Sequence, residues 1–325
     1  MRTRQLGSTD LHVSVLGLGS FALGGANWKA SWGPQDDQDS VDAIVRAVEL
    51  GVNWIDTAPV YGYGHAEEVV GRALKRCRAK PWVATKCGRH WEANGNIYGR
   101  LRKASIYAEA EASLRRLGVE VIDLYQMHWP QPEEEIEEGW GAMADLVKAG
   151  KVRYLGVSNF SVAQMERVQA IHPIASLQPP YSLLRRDIEA DLLPFCARQH
   201  IGVVVYSPLQ KGLLTGAFSV ARRDRLPPED HRRNDPMFAE PQLRATLRFV
   251  DGLAQLATAH RMSAAELALA WVLRRPELTA AIVGARRPAQ IEETVGAAEK
   301  DLASETVQAI EALLDERSRT LSPGH

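Results

Sequence analysis

The stretch of sequence that decides the fold is Asn53-Trp54-Ile55-Asp56-Thr57-Ala58-Pro59-Val60-Tyr61-Gly62. Its short apolar run reaches an aspartate and then breaks at a proline, which predicts a strand ending at Asp56 with Tyr61 in the following loop. The same design returns at 81–86, which ends in Lys86, and at 121–128, which ends in His128. Because the carboxyl ends of parallel strands meet at one edge of a sheet, we expect these four side chains to converge.

Strand-like apolar runs alternate with amphipathic helical patterns along the whole chain, the latter at 36–50, 103–117, 187–199 and 304–314. The predicted strand ends are Gly19, Asp56, Thr85, His128, Val157, Pro179, Ser207 and Val283. Most of them lie about thirty residues apart, the length that a strand, a crossover helix and two short loops occupy. Eight such units predict the α/β fold class, as a single (β/α)8 TIM barrel domain over residues 1–325.

Three segments fall outside this regular alternation. Residues 4–13 alternate around a turn, which predicts an N-terminal β-hairpin that plugs one end of the barrel. Two long insertions, 87–102 and 210–241, follow strands and therefore open at the catalytic face, where we interpret them as a substrate-side wall and a lid.

A Gly-x-Gly-x-x-Ala pattern at 17–22 superficially matches a dinucleotide-binding fingerprint. That fingerprint needs a helix that starts at the glycines, so that its amino end meets the pyrophosphate. Here the first helical pattern begins only near Asp36, and a Rossmann fold is disfavoured.

Composition and charge disfavour several classes of partner and cellular compartment. The 325 residues carry 39 basic and 40 acidic side chains, a formal net charge of −1, and no long run of one charge, so nucleic-acid and membrane partners are not expected. Three cysteines without paired spacing, and no signal peptide or long apolar span, predict a reduced cytoplasmic protein. No cluster of cysteine and histidine has metal-ligand spacing, so we expect no metal. The oligomeric state is left open.

Each of the four convergent residues has an ordinary structural alternative. Asp56 could cap a loop, His128 could be a core histidine, and Tyr61 competes with Tyr63 two residues further on. Lys86 could be a surface residue, but this interpretation is disfavoured, because a lysine that ends a buried apolar strand needs a partner. The occurrence of all four at neighbouring strand ends indicates a catalytic site.

Several motifs, in this order along the chain, resemble those of the aldo-keto reductase family. Asp56-Thr57-Ala58 followed by Tyr61-Gly62, the strand-end Lys86, and His128-Trp129-Pro130 match the family's catalytic tetrad; segments 156–160 and 284–293 match its cofactor sites. The chain is most similar to the microbial NADPH-dependent branch that includes general stress, glycerol and sugar reductases. The resemblance implies reduction of aldehydes or ketones to alcohols by hydride transfer.

In that chemistry Tyr61, rather than Tyr63, is the general acid that protonates the developing alkoxide. An ammonium about 4 Å from a phenol is worth on the order of 4 kcal/mol at an effective dielectric constant of roughly 20, so we expect Lys86 to lower the pKa of Tyr61. Asp56 holds Lys86 charged and oriented. His128 donates to the substrate oxygen, a task that suits neutral imidazole.

The resemblance also assigns the cofactor contacts, from the nicotinamide to the adenosine end. They are Ser20 and Phe21 beside the nicotinamide ribose, Ser158, Asn159 and Gln178 on the carboxamide, Tyr206 stacked on the ring, Ser207, Leu209, Gln210, Gly212 and Leu214 in the pyrophosphate loop, and Gly284, Arg286, Gln290, Glu293 and Thr294 at the adenosine end. Val283 and Thr294 depart from the commoner family pattern of proline and asparagine. A purely structural role is the alternative for Gln210 and Leu214.

The cofactor is expected to be NADPH rather than NADH. Arg286 and Arg287 follow the last predicted strand, and a barrel's last loops are the usual phosphate site. An arginine engages a 2′-phosphate, whereas an NAD-selective site presents an acidic residue to the ribose hydroxyls. Arg286 matches the family's basic position, and for Arg287 a solvated surface charge is an equal alternative.

Four tryptophans in loops after the predicted strands, Trp28, Trp32, Trp91 and Trp129, predict an aromatic-walled pocket for small aldehydes, polyols or sugars, with a scaffold role as the alternative. Two other functions fit the same fold. One is a cofactor-sensing subunit similar to potassium-channel β subunits. The other is an aldolase or isomerase that uses Lys86 as a Schiff base.

Overall fold

The computed structural model of the protein describes residues 1–26 and 28–321. Its strands are β1 (Thr3–Gln5), β2 (His12–Ser14), β3 (Leu16–Gly19), β4 (Trp54–Asp56), β5 (Trp82–Cys87), β6 (Arg89–Trp91), β7 (Ile97–Gly99), β8 (Ile122–Met127), β9 (Val152–Ser158), β10 (Ser176–Gln178), β11 (Gly202–Val205) and β12 (Ala280–Gly284). Eight of these, β3 to β5 and β8 to β12, are parallel neighbours in chain order and close into a barrel. The predicted (β/α)8 TIM barrel is therefore confirmed.

Helices follow the barrel strands and pack around them. They are α1 (Asp37–Glu49), α2 (His65–Arg76), α3 (Lys103–Leu117), α4 (Ile136–Lys148), α5 (Val162–Gln169), α6 (Leu192–Gln199), α7 (Val220–Asp224), α8 (Gln242–Ala259), α9 (Ala264–Leu273), α10 (Pro288–Val295) and α11 (Ser304–Leu321). The carboxylate of Asp36 accepts hydrogen bonds from the N–H groups of Gln38 and Asp39, which caps α1 where the sequence predicts its start. Only a 3₁₀ turn at 21–23 follows β3, so no helix begins at its glycines.

The predicted helix over 187–199 is broken in two. A 3₁₀ turn covers Asp187–Glu189, and α6 begins only at Leu192. The reason is Pro194, which lacks an N–H and is tolerated in the first turn of a helix but not in its interior. The Asp191 carboxylate accepts from the Leu192 N–H at this new start.

Both predicted insertions contain local structure. Residues 87–102 hold the antiparallel hairpin formed by β6 and β7, with Arg89 opposite Gly99. Residues 210–241 hold 3₁₀ turns at Gln210–Thr215, His231–Asn234 and Pro236–Phe238 together with α7. The first insertion was expected only as a loop, because its short strands lack a sustained alternation of apolar and polar residues.

The N-terminal hairpin of β1 and β2 closes the amino-terminal end of the barrel, as predicted. Leu6, Leu11 and Val13 are buried against interior residues of the strands, among them Trp54 and Leu124. The side chain of Asn53 accepts from the Ser14 N–H at 2.7 Å and donates to the His12 carbonyl at 2.8 Å. The opposite end, where the strands terminate, is left for the functional site.

Cys77, Cys87 and Cys196 are buried free thiols. Within residues 1–26 and 28–321, no helix has both the length and the apolar character needed to cross a membrane. The same part of the chain contains no group of three or more His, Cys, Asp or Glu side chains that could hold a metal ion.

Candidate active site

Lys86 lies at the centre of a polar cluster at the carboxyl end of the barrel. Its side chain is wholly buried near the end of β5, and its Nζ donates to Asp56 Oδ1 at 2.6 Å, to the Thr57 carbonyl at 2.9 Å and to Tyr61 Oη at 3.2 Å. These three acceptors use all three protons of the ammonium. The strand ends of β4 and β5 thus bring Asp56, Tyr61 and Lys86 together, as the sequence predicted.

Tyr61 is held in place by a close contact between two loop backbones. Gly62 has a φ of +63°, and a Cβ added there would lie 2.1 Å from the carbonyl oxygen of Gly24. Only glycine permits both the left-handed conformation and this approach. The Tyr61 ring, 8% exposed, meets the His128 ring edge-on at 5.8 Å and the Phe21 ring at 5.0 Å.

In this cluster, burial and the charges of neighbouring groups shift the pKa values of Lys86 and Tyr61 in opposite directions. Burial alone would lower the pKa of Lys86, but the charge of Asp56 and the contact with Tyr61 outweigh it, so that pKa is raised above its ordinary value. For Tyr61, burial raises the pKa above that of free tyrosine, and the charge of Lys86 opposes this without reversing it. The expected lowering of the Tyr61 pKa is therefore wrong: desolvation of the phenolate dominates, and Asp56 counteracts the charge of Lys86.

His128 directly follows β8, and its backbone N–H donates to the Cys87 carbonyl at 3.0 Å. The side chain is half-buried at the mouth of the cluster. Burial, with smaller contributions from the charges of Lys86 and Arg89, holds the pKa of His128 well below its ordinary value. The imidazole is therefore neutral at physiological pH.

Gln126 is a member of this cluster that sequence reasoning missed. Asp56 Oδ2 accepts from Gln178 Nε2 at 2.8 Å and from Gln126 Nε2 at 3.2 Å, and Gln178 Nε2 also lies 3.0 Å from Gln126 Oε1. The second carboxylate oxygen of Asp56 is thus fixed by two amides. The signal was present in the sequence, because Gln126 stands two residues before His128 in a strand and so points to the same face.

Beside this cluster, the ends of β9 and β11 form a second hydrogen-bonded group. Asn159, with a φ of +63°, donates from Nδ2 to the His128 carbonyl at 3.1 Å and to Ser158 Oγ at 3.0 Å. Its Oδ1 accepts from Tyr206 Oη at 2.9 Å, and Ser158 Oγ donates to the Gln178 carbonyl at 2.8 Å. The structure therefore brings Ser158, Asn159, Gln178 and Tyr206 together next to His128.

The loop after β11 turns through unusual backbone conformations. Positive φ angles occur at Ser207, Gln210, Lys211 and Gly212. The N–H groups of Gly212 and Leu214 both donate to the Leu209 carbonyl, and the Gln210 N–H donates to the Ser207 carbonyl. Leu214 is wholly buried, so its side chain packs in the core.

Arg286 lies at the far side of the site, after β12. Its guanidinium donates to Gln35 Oε1 at 2.5 Å and to the carbonyls of Trp32 and Pro34, and its backbone N–H donates to Gln290 Oε1 at 2.7 Å. The pKa of Arg286 is lowered by burial and by the charges of Arg232, Arg287 and Arg222, which Asp230 only partly offsets. Several positive charges thus act on the Arg286 guanidinium.

The other residues predicted at the adenosine end, Thr294, Glu293 and Gly284, differ in exposure. Thr294 is buried, and its hydroxyl donates back to the carbonyls of Gln290 and Ile291 within α10. Glu293 is exposed, and a Cβ added at Gly284 would meet no atom within 4 Å.

Trp28 and Trp91 pack in one apolar cluster with Tyr61. Trp28 is buried, with its ring 5.9 Å from that of Tyr61, while Trp91 stacks on Tyr63 at 5.3 Å and Trp129 is 37% exposed. Trp32 instead lies on the arginine side, with the Arg232 guanidinium 4.6 Å above its ring.

Two further predicted residues lie where β3 ends, beside Tyr61. The hydroxyl of Ser20 is buried and donates to Thr57 Oγ1 at 2.7 Å. The Phe21 ring is half-buried and edge-on to Tyr61.

A closed (β/α)8 barrel that gathers a tyrosine, a lysine, an aspartate and a histidine at the carboxyl ends of its strands places the chain among the barrel enzymes, which keep their catalytic residues at that end. The chain belongs to the Aldo/keto reductase family, whose model matches residues 16–315. It is 39% identical over 295 residues to aldo-keto reductase YhdN of Bacillus subtilis, covering 90% of this chain and 87% of that protein. It is 35% identical over 311 residues to the NADH-specific methylglyoxal reductase of Escherichia coli, covering 91% and 93% of the two chains.

Solved structures agree with this assignment. The glycerol dehydrogenase of Gluconobacter oxydans superposes with a TM-score of 0.88 at 40% identity, over 97% of this chain and 95% of that one. An aldo-keto reductase of Bacillus halodurans in its holo form superposes with a TM-score of 0.80 at 30% identity, over 96% of each chain. The protein is therefore an enzyme of a family that uses nicotinamide cofactors.

Proposed function

We propose that the protein is an NADPH-dependent carbonyl reductase in which Tyr61 gives the proton. The observation that carries this proposal is the chain of contacts from Asp56 through Lys86 to Tyr61, with Lys86 Nζ 2.6 Å from the carboxylate and 3.2 Å from the phenol. NADPH, when bound, supplies the hydride. The residues of the cluster supply the proton and hold the carbonyl.

The proton step follows from the charges in the cluster. Because its pKa is raised by burial, Tyr61 carries its proton throughout the neutral range. As the substrate oxygen gains negative charge, the phenol donates to it, and the phenolate that forms is stabilised by the Lys86 ammonium. Neutral His128 donates an N–H to the same oxygen and so fixes the angle of the carbonyl.

The residues beside the cluster fit a nicotinamide. Gln178 uses its Nε2 for Asp56 and Gln126, while its Oε1 accepts no hydrogen bond from the described residues and is available to a carboxamide N–H. Tyr206 is tied by its hydroxyl to Asn159, which orients the ring for stacking. The positive-φ loop from Ser207 to Gly212 suits a pyrophosphate, since consecutive backbone N–H groups in such turns form anion-binding concavities.

The arginines around Arg286 support NADPH over NADH. The pKa of Arg286 is lowered by the positive charges of Arg232, Arg287 and Arg222. The carboxylate of Asp230 opposes this effect. A cluster of cations with a surplus of positive charge is stabilised by a dianionic 2′-phosphate. The E. coli relative is named as NADH-specific, so the preference is a property to be measured on this chain.

We further propose that the enzyme works as a single domain over residues 1–325 in the cytoplasm. All three cysteines are free thiols, which suits a reducing compartment. The substrates we propose are small aldehydes and polyol- or sugar-type carbonyls, for which the Trp28 ring, 5.9 Å from that of Tyr61, offers an aromatic contact beside the proton donor.

The deciding experiment follows loss of NADPH absorbance with a panel of aldehydes, diketones and sugars. Wild-type protein is expected to turn over several of them, and Tyr61→Phe is expected to lower turnover by at least ~10²-fold with NADPH affinity nearly unchanged. Tyr63→Phe is the matched control, since the Tyr63 hydroxyl donates to the Gly95 carbonyl at 3.0 Å, away from Lys86. If Tyr63→Phe is the crippling change instead, the proton donor is misassigned.

A further inference from the structure

Arg89 is a half-buried cation that finds no counterion in the part of the chain that the structure describes. It is the first residue of β6, in the hairpin that follows Lys86 and Cys87. Within residues 1–26 and 28–321, its guanidinium makes a single hydrogen bond, to the amide oxygen Oε1 of Gln131 at 3.4 Å. Among the described residues, no carboxylate oxygen lies within 4.0 Å of it.

Other arginines with comparable burial are better satisfied. Burial lowers the pKa of Arg4, Arg286 and Arg317 as it does that of Arg89. Arg4 donates to three backbone carbonyls, Arg286 to Gln35 and two carbonyls, and Arg317 to Thr246 and Gln242. A guanidinium has five N–H donors, and Arg89 finds an acceptor for one of them among the described residues, the fewest in this set.

The position of Arg89 puts it at the mouth of the active site. Across the hairpin, Gly99 packs so closely on the loop after β8 that a Cβ there would lie 2.3 Å from the Gln131 carbonyl oxygen. Arg89, which belongs to the hairpin, therefore lies close to the segment that carries His128 and Trp129. Its guanidinium reaches Oε1 of Gln131, three residues after His128, and its charge contributes, after burial and Lys86, to the low pKa of His128.

We propose that Arg89 binds an anionic group on the substrate, so that the preferred substrates are aldehydes or ketones that also carry a carboxylate or a phosphate. This inference rests on the proposed reductase function and names the substrate class of the same site. A guanidinium presents a planar fork that pairs with two oxygens of either anion. Held by Gln131, three residues after His128, it fixes the far end of a short substrate while Tyr61 and His128 hold the carbonyl.

The test compares anionic and neutral carbonyl compounds of similar size. Butanal is paired with succinic semialdehyde for the carboxylate, and glyceraldehyde with glyceraldehyde 3-phosphate for the phosphate, with NADPH oxidation as the signal. Wild-type enzyme is expected to prefer the anionic member of at least one pair. Arg89→Gln is expected to lower kcat/KM for that member by about ten- to a hundredfold, mostly through KM, and to leave the neutral member within about threefold. Arg89→Lys, which keeps the charge but not the fork, is expected to fall between the two.

Two control variants separate anion binding from support of the loop. Arg100→Gln removes an exposed arginine of the same insertion and is expected to change neither member of a pair. Gln131→Ala removes the hydrogen-bond acceptor of the Arg89 guanidinium and is expected to keep the anionic preference. A loss in Gln131→Ala equal to that in Arg89→Gln would make Arg89 a brace for the loop and overturn the proposal.

The remaining outcomes are distinguishable. The pair that loses its preference identifies the anion, carboxylate or phosphate. If wild-type enzyme reduces neutral and anionic compounds alike, or Arg89→Gln affects both members of each pair equally, the inference fails while the reductase function stands. If none of the four compounds is reduced while members of the wider panel are, the inference fails and the reductase function stands; if the whole panel is inert, the proposed function fails and the inference with it.

Discussion

Lys86 and Asp56 form a buried ion pair whose partners depend on each other. Both side chains are almost fully buried, at 0% and 4% exposure. In Lys86→Met the carboxylate of Asp56 is left buried without its cation, which is expected to lower the free energy of unfolding by about 3–5 kcal/mol. Turnover is expected to fall by at least ~10²-fold because the Tyr61 phenolate is no longer stabilised. Denaturant titration and NADPH oxidation measure the two losses.

The double variant Lys86→Met/Asp56→Asn separates stability from chemistry. It removes both charges and keeps one oxygen that can accept from Gln178 or Gln126. Much of the lost stability is expected to return while turnover stays low. Wild-type turnover in Lys86→Met would contradict the proposed role of the lysine in the proton step.

Arg286 is the residue on which cofactor selectivity depends. Charged hydrogen bonds are worth about 1.5–3 kcal/mol each, so Arg286→Ala is expected to weaken NADPH binding by roughly ten- to a hundredfold while NADH binding scarcely changes. Quenching of tryptophan fluorescence measures both dissociation constants. Arg287→Ala, at an exposed position, is the control and is expected to have a smaller effect.

The Arg286 side chain also supports the loop at residues 32–35, so the Arg286→Ala experiment has a second possible outcome. Its guanidinium donates to Gln35 and to the carbonyls of Trp32 and Pro34. Equal losses of NADPH and NADH affinity in Arg286→Ala would mean that Arg286 orders residues 32–35 and does not bind the 2′-phosphate.

At the scale of elements, the position of Tyr61 depends on how two loops meet. In Gly62→Ala the new Cβ would lie 2.1 Å from the Gly24 carbonyl oxygen, a backbone atom, at a φ of +63°. The loops after β3 and β4 have to separate, with an expected cost of at least ~2 kcal/mol in stability and a displaced Tyr61. A displacement on the order of 1 Å is enough to lower turnover by about ten- to a hundredfold.

The control for this substitution is Gly141→Ala in the middle of α4. A Cβ at Gly141 meets no atom within 4 Å, so alanine is expected to stabilise the helix by about 0.5–1 kcal/mol and to leave turnover unchanged. Normal activity in Gly62→Ala would contradict the view that backbone contact between these loops positions the acid.

At the scale of the whole molecule, the barrel has a stabilising end and a catalytic end. Leu11 is 0% exposed in the N-terminal plug, where it packs with Trp54 and Leu124. Leu11→Ala is expected to lower the free energy of unfolding by about 2–5 kcal/mol while kcat and KM below the melting temperature stay near wild type.

His12→Ala, at an exposed position of the same hairpin, is the control, with an expected change within about 0.5 kcal/mol. The measurements are thermal unfolding and steady-state kinetics on the same preparations. A large loss of turnover in folded Leu11→Ala would show that the plug acts on the active site.

Local sequence patterns were sufficient for the barrel and for the centre of its site. The predicted strand ends fall within two residues of the observed ones, from Gly19 to Gly284, because the side-chain period of a strand is set by its own residues. Asp56, Lys86 and His128 converge because strand ends of a parallel barrel meet whatever the loops do. The broken helix before α6 was within reach too, since Pro194 marks it.

Other features depend on which groups surround a residue in space. Tyr61 is buried and lies next to a lysine whose charge is countered by Asp56, so its pKa rises where a pairwise argument predicted a fall. From the sequence, Arg89 is one cation among many, and only the structure shows it half-buried, hydrogen-bonded to Gln131 and without a carboxylate partner among the described residues. The burial of a side chain and the charges that act on it depend on residues from distant parts of the chain. The sequence by itself therefore determined the barrel and the identity of its reactive groups, and only the tertiary structure decided their protonation and the additional residues that face them.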